Sequence, residues 1–178
     1  MIRFTRLNKS HLEKILTWRT QPDVTRYMFT DIEYNLENQH KWFERVKESE
    51  TDKYWVISYG DVDFGVVSLN GIDHLNKKTS AGFYIGDHDY RKYGFFVLLY
   101  LYNYVFHELK LNKIYAEVMG GNESVIKFHT MYGFREVGIY RQHIYKYGSY
   151  HDVFLFELLK EKWLQIGNKY EKYTAKFE

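Results

Sequence analysis

The stretch over residues 82–134 constrains the fold more than any other part of the chain. It begins with an aromatic and β-branched run, passes through the basic turn RKYGFF, and continues as an apolar segment. A second strand-like run, KIYAEVM, follows, and a Gly-Gly-Asn break separates it from a further helical segment that ends at Gly133. This succession predicts the order β-turn-α-β-turn-α.

The first turn of this stretch, residues 91–96, is a candidate binding site. It stands where a strand gives way to a helix, so several backbone N–H groups are expected to lack intrahelical partners. The helix dipole favours negative charge there, and Arg91 and Lys92 add full positive charges. The turn therefore suits a pyrophosphate, while a solvated surface loop is the alternative that these six residues alone also fit.

Length and composition favour a single domain over residues 1–178. A chain of 178 residues, 45% of them hydrophobic, can bury one sizeable core. The net charge of +2 is too small, and the Lys and Arg residues are too scattered, to indicate nucleic acid as the main partner. A compact anionic ligand remains open.

The residue types also exclude several site chemistries. The chain has no cysteine, which excludes disulfides, thiolate metal sites and a covalent acyl-cysteine intermediate. Several histidines show no metal-ligand spacing with acidic partners: His88, His107, His143 and His151. The N-terminus lacks an apolar signal stretch, and no segment approaches the roughly 18 apolar residues of a membrane span. We therefore expect a cytoplasmic protein with no metal and no membrane partner.

The patterns outside the central stretch predict further strands and helices. Strands are predicted over residues 1–7, 54–59, 64–69, 135–145 and 150–158, in addition to 79–85 and 114–119. Helices are predicted after a cap at Asn8, over residues 36–46 and over residues 159–166. Pro22 is expected to close the first helix and lie in a loop, and the tail from residue 168 onward is expected to fray. From the residues alone, this order indicates an α/β or α+β protein.

The central stretch also resembles a family. Arg91-x-x-Gly94-x-Phe96 is similar to the Q/R-x-x-G-x-G/A pyrophosphate loop of the GCN5-related N-acetyltransferases (GNAT), except that Phe96 replaces a small residue. The similar positions downstream are Glu117, Val118, Met119, Asn122, Ser124, Ile126, Phe128, Gly133 and Phe134. The resemblance implies an α+β fold, with a mixed seven-stranded sheet flanked by helices, and acetyl-CoA as the cofactor.

A closer resemblance covers about residues 3–163. The motifs Trp18-Arg19-x-x-Pro22-x-Val24-x-x-Tyr27-Met28, His40-x-Trp42 and Gly148-x-Tyr150-x-Asp152-Val153 are similar to one group of amino-sugar N-acetyltransferases. That group acetylates UDP-4-amino-4,6-dideoxy-N-acetyl-β-L-altrosamine in pseudaminic acid biosynthesis. The resemblance implies direct acetyl transfer to the amine of a nucleotide-linked 4-amino-6-deoxy sugar by a possible homodimer. Ribosomal-protein N-terminal and polyamine acetyltransferases share many of these motifs, so their acceptors remain alternatives, as does a non-catalytic CoA-binding module.

The resemblance further implies roles for individual residues. Glu117 would take the amine proton, although a surface glutamate is the alternative for this strand position. His129 would either protonate the leaving thiolate or only hydrogen-bond it. Asn122 would cap a helix and also contact the cofactor arm. The other implied cofactor contacts are Phe83, Tyr84, Ile85, Arg91, Lys92, Tyr93, Gly94, Phe95, Phe96 and Phe128, and the implied acceptor-pocket residues are Met28, Phe29, Trp42 and Tyr84.

Overall fold

Seven strands of the described backbone form one mixed sheet. The computed structural model describes the backbone of residues 1–178 and every side chain except that of residue 168. The strands are β1 (Ile2–Arg6), β2 (Lys53–Tyr59), β3 (Val62–Asp73), β4 (Lys78–Ile85), β5 (Lys113–Met119), β6 (Arg135–Lys146) and β7 (Ser149–Leu159). They lie in the order β1-β2-β3-β4-β5-β7-β6, and only β4 and β5 pair in parallel. The predicted mixed seven-stranded sheet is confirmed.

The helices follow the predicted order, with one correction. They are α1 (Leu12–Arg19), α2 (Pro22–Thr25), α3 (Leu36–Val46), α4 (Gly94–Asn103), α5 (Glu123–Met131) and α6 (Lys160–Gly167). The prediction that Pro22 lies in a loop is wrong, because Pro22 opens α2 at a position where its missing N–H breaks no intrahelical bond. Among the described residues, every helix is too short or too polar to cross a lipid bilayer.

The two faces of the sheet carry separate apolar clusters. Successive strand residues point to opposite faces, so Trp55 and Ile57 of β2 join the cluster beneath α4 while Val56 joins the cluster with α1 and α3. In α4, side chains on nearly every side are buried, among them Leu99 and Leu101 at 0% exposure. The helix is therefore enclosed between the sheet and other chain segments, and its N-terminal end is fixed in place.

The parallel strands β4 and β5 separate partway along their length. They pair only at Lys78 with Lys113, at Thr79 with Ile114 and at Ser80 with Tyr115. Beyond these pairs, β4 stays bonded to β3 and β5 stays bonded to β7. The facing edges of both strands are left without a neighbouring strand beyond these three pairs.

The expectation that the C-terminal tail, residues 168–178, frays is wrong, because the tail packs on β1 and α4. Phe177 forms a bridge with Phe4 of β1, and the centroids of the two stacked rings are 4.3 Å apart. The Asn103 amide of α4 donates a hydrogen bond to the Tyr173 carbonyl at 2.9 Å. Aromatic burial and these backbone bonds offset the entropy lost when the tail is ordered, which charge composition alone could not indicate.

Candidate active site

A cleft of about 1250 Å³ extends from the gap between β4 and β5. Its walls include residues 81–85 of β4 and residues 116–119 of β5, which are the separated parts of these strands. Backbone N–H and C=O groups of alternate residues along such an edge point away from the neighbouring strand and into the gap. Ligand pockets usually measure about 300–1,000 Å³, so this cleft is large enough for an extended cofactor together with a second molecule.

Both predicted catalytic residues line this cleft. Glu117 lies on the separated part of β5, where its carboxylate is exposed to solvent. His129 lies on α5, is only 5% exposed, and stacks on Phe134 with ring centroids 4.5 Å apart. The strand and the helix therefore present a carboxylate and an imidazole to one shared space.

The imidazole of His129 is held in its neutral form. Burial lowers the pKa of His129 from 6.5 to about 4. Its Nδ1 atom is buried and has no hydrogen-bond partner among the described residues. Unpaired buried polar atoms are costly, and they occur in native structures mainly where a ligand, a water or a functional role accounts for them. A neutral ring beside the strand gap fits a polar partner supplied by a bound molecule.

The basic turn before α4 is more ordered than the sequence predicts. Residues 88–93 form a 3₁₀ helix, capped by the Asp87 carboxylate, which accepts the N–H of Asp89 at 3.0 Å. The N–H of Gly94 donates to the carbonyl of Arg91. The expectation of free amides is therefore wrong at Gly94, because the 3₁₀ helix runs directly into α4 and uses this donor.

Arg91 lines the cleft but already has a partner. Its guanidinium pairs with the Asp23 carboxylate of α2, and His88 Nε2 lies 3.0 Å from the same carboxylate. A bound pyrophosphate would compete with Asp23 for this cation. The pair links the turn before α4 to the N-terminal part of the chain.

The structure divides the predicted binding residues into two groups. Those that line the cleft are Met28, Trp42, Phe83, Tyr84, Ile85, Arg91, Asn122 and His129. Those that lie outside its lining are Phe29, Lys92, Tyr93, Gly94, Phe95, Phe96 and Phe128. The aromatic rings at positions 93, 95, 96 and 128 pack around the start of α4: Phe96 stacks on Tyr173 with centroids 5.8 Å apart, and Tyr93 stacks on Tyr59 at 5.4 Å. Phe29 is 37% exposed, and it is not a lining residue although its neighbours Met28 and Thr30 are.

The far end of the cleft, between α1 and α3, carries residues that the sequence analysis missed. Asn38 and Arg45 of α3 line the cleft beside the predicted Trp42, and the i, i+4, i+7 spacing of the three places them on one helical face. That spacing was the available signal, but it has the same form as an ordinary solvated face. Arg19 and Arg26 add further cationic groups to this end of the cleft.

A buried lysine fixes the segment that carries Met28. The Lys146 side chain is 4% exposed, and its ammonium donates to the carbonyls of Thr25 and Met28 at 2.7 and 2.8 Å. The same ammonium lies 2.8 Å from the Asp31 carboxylate. The end of β6 therefore clamps the wall of the cleft through contacts more than 100 residues apart in sequence.

Similar proteins are found by sequence and by structure. The protein named "Putative ribosomal N-acetyltransferase YdaF" of Bacillus subtilis is 32% identical over 56% of this chain, and the match spans 55% of that relative's length. Acetyltransferase PseH of Campylobacter jejuni is 25% identical over 71% of this chain and 78% of its own length. Among solved structures, spermidine N-acetyltransferase from Vibrio cholerae in complex with CoA and spermine superposes with a TM-score of 0.85. That match covers 92% of this chain and 98% of the other at 20% identity, so it supports the fold alone.

The family assignment rests on the sequence match together with this fold. The acetyltransferase (GNAT) domain family matches residues 2–135, which is well over half of the chain. The divided β4–β5 pair and the cleft beside it lie largely within these residues. The chain therefore belongs to the GNAT acetyltransferase family, whose members are acyltransferases that use acetyl-CoA.

Proposed function

We propose that this protein is an acetyl-CoA-dependent N-acetyltransferase that acts on the primary amine of a nucleotide-linked 4-amino-6-deoxy sugar. The observation that carries the proposal is the gap between β4 and β5, which opens into a cleft whose other end is lined by cationic and amide side chains. One end of this cleft suits an extended peptide-like arm, and the other suits a polar, negatively charged acceptor.

The strand gap supports the cofactor end of the proposal. An extended chain with amide groups can add to a free strand edge through main-chain hydrogen bonds, and residues 83–85 of β4 present such an edge. When bound, acetyl-CoA supplies the thioester whose acetyl group is transferred. A backbone N–H of β4 near Tyr84 or Ile85 would hydrogen-bond the acyl oxygen and stabilise the negative charge that develops on it.

Glu117 and His129 would have separate roles in the reaction: Glu117 would accept a proton, and His129 would donate a hydrogen bond. The Glu117 carboxylate, exposed in the cleft, would accept the proton of the attacking amine, directly or through one water. His129 is neutral at pH 7 because burial lowers its pKa to about 4. A neutral imidazole is a hydrogen-bond donor at one ring nitrogen, so this geometry favours the second of the two predicted roles for His129, a hydrogen bond to the departing sulfur.

The charge of the acceptor end favours an anionic acceptor over a polyamine. Arg19, Arg26 and Arg45 line this end together with Glu33, and Asp31 lies close enough to Arg19 to raise its pKa, so cationic side chains still outnumber acidic ones there. A polyamine carries several positive charges and would be repelled by this lining, whereas a diphosphate would be attracted to it. The similarity to PseH, at 25% identity, is in accord with an amino-sugar acceptor.

A protein N-terminus is the second candidate acceptor. It is favoured by the 32% identity to YdaF, whose name describes a ribosomal N-acetyltransferase. The cytoplasmic location, the possible homodimer and the predicted contacts outside the cleft lining stay part of the proposal as predictions.

An acetyl-CoA turnover assay with a panel of acceptors tests the proposal. The panel contains UDP-linked 4-amino sugars, peptides with free N-termini, and spermidine, and the first class should give the highest kcat/KM. Glu117→Gln should lower kcat by about 100-fold or more, because general base catalysis commonly contributes 10²–10⁴. Glu136→Gln is the matched control, since Glu136 is an exposed glutamate on β6 outside the cleft.

Combining Glu117→Gln with His129→Phe should abolish measurable turnover while CoA binding, followed by calorimetry, persists. Wild-type rates in both variants would remove the assigned roles. Absence of turnover by the wild type on every acceptor would favour a CoA-binding module over an enzyme.

A further inference from the structure

A chain of hydrogen-bonded side chains ends at a tyrosine hydroxyl in the acceptor end of the cleft. The Asn70 amide nitrogen donates to the Asp52 carboxylate at 3.1 Å and to the Tyr54 hydroxyl oxygen at 2.8 Å. The Asn70 amide oxygen accepts a hydrogen bond from the Ser68 hydroxyl at 2.9 Å. Ser68 and Tyr54 both line the cleft. The hydrogen bonds through Asn70 of β3 therefore join two residues of the cleft wall.

The direction of these hydrogen bonds is fixed by Asp52. Burial opposes ionisation of this carboxyl, but hydrogen bonds from Asn70, Thr51, Gly71 and Ser49 outweigh burial and hold the pKa of Asp52 below its ordinary value. An ionised carboxylate only accepts hydrogen bonds, so the amide nitrogen of Asn70, and not its oxygen, must face Asp52. The second N–H of the same nitrogen then points to Tyr54.

The Tyr54 hydroxyl therefore keeps its own proton available. Its oxygen already accepts from Asn70, and among the described residues no acceptor lies within hydrogen-bond distance of the phenolic proton. The ring is held by Trp42, which meets it edge to face with centroids 5.0 Å apart. Burial raises the pKa of Tyr54, so the hydroxyl stays protonated at neutral pH. The cleft wall thus presents an oriented donor that lacks a partner.

We propose that Tyr54 is a specificity-determining residue that donates a hydrogen bond to an oxygen atom of the acceptor substrate. This inference rests on the proposed function, because it requires the acceptor to occupy this end of the cleft. A sugar hydroxyl, an N-acetyl carbonyl or a phosphate each carries such an oxygen. An alkylammonium group has donors only and would leave the phenolic proton of the half-buried Tyr54 without an acceptor.

The arrangement selects between acceptor classes by two separate effects. The arginines at this end of the cleft act through charge, which weakens as salt concentration rises. Tyr54 is neutral and acts through a short directional bond, which salt affects less. A ligand that has an oxygen but no phosphate would use Tyr54 alone, and a free diphosphate would use mainly the arginines.

Calorimetry with UDP-N-acetylglucosamine as the probe tests the inference without turnover. Tyr54→Phe keeps the ring that packs on Trp42 and removes only the hydroxyl, so we expect the affinity for this probe to fall about threefold to tenfold, the usual worth of one hydrogen bond. The affinity for CoA should stay at the wild-type value. Tyr145→Phe is the matched control, because Tyr145 is 67% exposed on β6 outside the cleft.

Turnover measurements separate this inference from the proposed function. With a nucleotide-linked amino sugar, Tyr54→Phe should raise the acceptor KM by a similar factor, while any slow turnover of spermidine should not change. Equal probe affinities in wild type and Tyr54→Phe, or no binding of the probe to the wild type, would overturn the inference. If the probe binds and Tyr54→Phe weakens it, yet no amino sugar is acetylated, the Tyr54 assignment stands and the proposed function fails.

Discussion

Replacing Lys146 by Met is expected to destabilise the protein more than replacing any exposed lysine. Lys146 is 4% exposed and holds three partners: the carbonyls of Thr25 and Met28, and the Asp31 carboxylate. Met has a similar length and is apolar, so the substitution removes the donors without leaving a large cavity. The Thr25 and Met28 carbonyls lose their hydrogen-bond donor, and the segment that carries Met28 loses its link to the end of β6.

The magnitude follows from the partners that remain. A hydrogen bond to a charged group is worth about 1.5–3 kcal/mol, so losing the two carbonyl bonds costs about 3–6 kcal/mol. Burying Met in place of an ammonium recovers part of this, since a buried charge carries a desolvation cost of several kcal/mol. Asp31 is 53% exposed and regains water, so its loss adds little. We expect a net loss of about 3 kcal/mol, which lowers Tm by about 6–12 °C in a chain of this size.

Thermal and urea unfolding of the wild type and of Lys146→Met measure this loss of stability. Lys41→Met is the matched control, because Lys41 pairs with Glu37 on the surface of α3 and both side chains are mostly exposed. An exposed pair of this kind is worth about 0.5 kcal/mol or less. The acceptor KM should also rise in Lys146→Met, because the segment carrying Met28 loosens, while CoA affinity should not change. Equal Tm losses in the two variants would refute the claim that burial makes Lys146 different.

Three further substitutions test other parts of the structure. The pKa of His129 is about 4 in the folded protein and 6.5 when unfolded, so stability rises with pH across this window; His129→Phe should flatten that rise, about 3 kcal/mol, in urea unfolding from pH 4 to 7. Phe177→Ala should lower the free energy of unfolding by about 2 kcal/mol, measured by heat denaturation, because the tail loses its stacked ring. A methyl group at Gly86 would overlap the Trp18 indole, so Gly86→Ala should change near-UV circular dichroism, whereas Gly138→Ala, with its nearest atom 3.7 Å away, should not.

Each of these expectations has a contradicting result. A pH profile of His129→Phe that runs parallel to the wild type would show that the imidazole is not buried in its neutral form. A Phe177→Ala protein as stable as the wild type would show that the tail does not pack on β1. Matching spectra for the Gly86 and Gly138 variants would show that Trp18 does not contact Gly86.

Local sequence patterns determined the elements and their order. Short β-branched and aromatic runs favour strands and longer apolar runs favour helices, so residues 54–59 and the apolar run after Gly94 indicate β2 and α4 without tertiary information. The Gly60 turn marks the end of β2, and the Gly-Gly-Asn break marks the end of β5. The prediction for Pro22 was wrong because proline is common both in loops and at the first position of a helix.

The candidate site could be predicted only in part. Glu117, His129 and the β4 edge were predicted from the stretch that carries the family pattern, and they do line the cleft; their catalytic roles stay predictions. Tyr54, Asn70 and Arg45 were missed, since each looks like an ordinary strand or surface residue until β2, β3 and α3 are brought together. The proposed roles of these residues depend on contacts between side chains of different strands and helices, and such contacts cannot be predicted from any one segment of the sequence.

By itself, the sequence determined the seven strands, the main helices and the basic turn before α4, because these depend on interactions among residues close in the chain. Only the tertiary structure decided that the tail docks on β1, that Lys146 is buried against the segment carrying Met28, and that Asn70 donates to the Tyr54 hydroxyl beside the cleft. These features join segments from about 15 to more than 170 residues apart, and they form because burial makes unpaired polar groups and exposed aromatic rings costly.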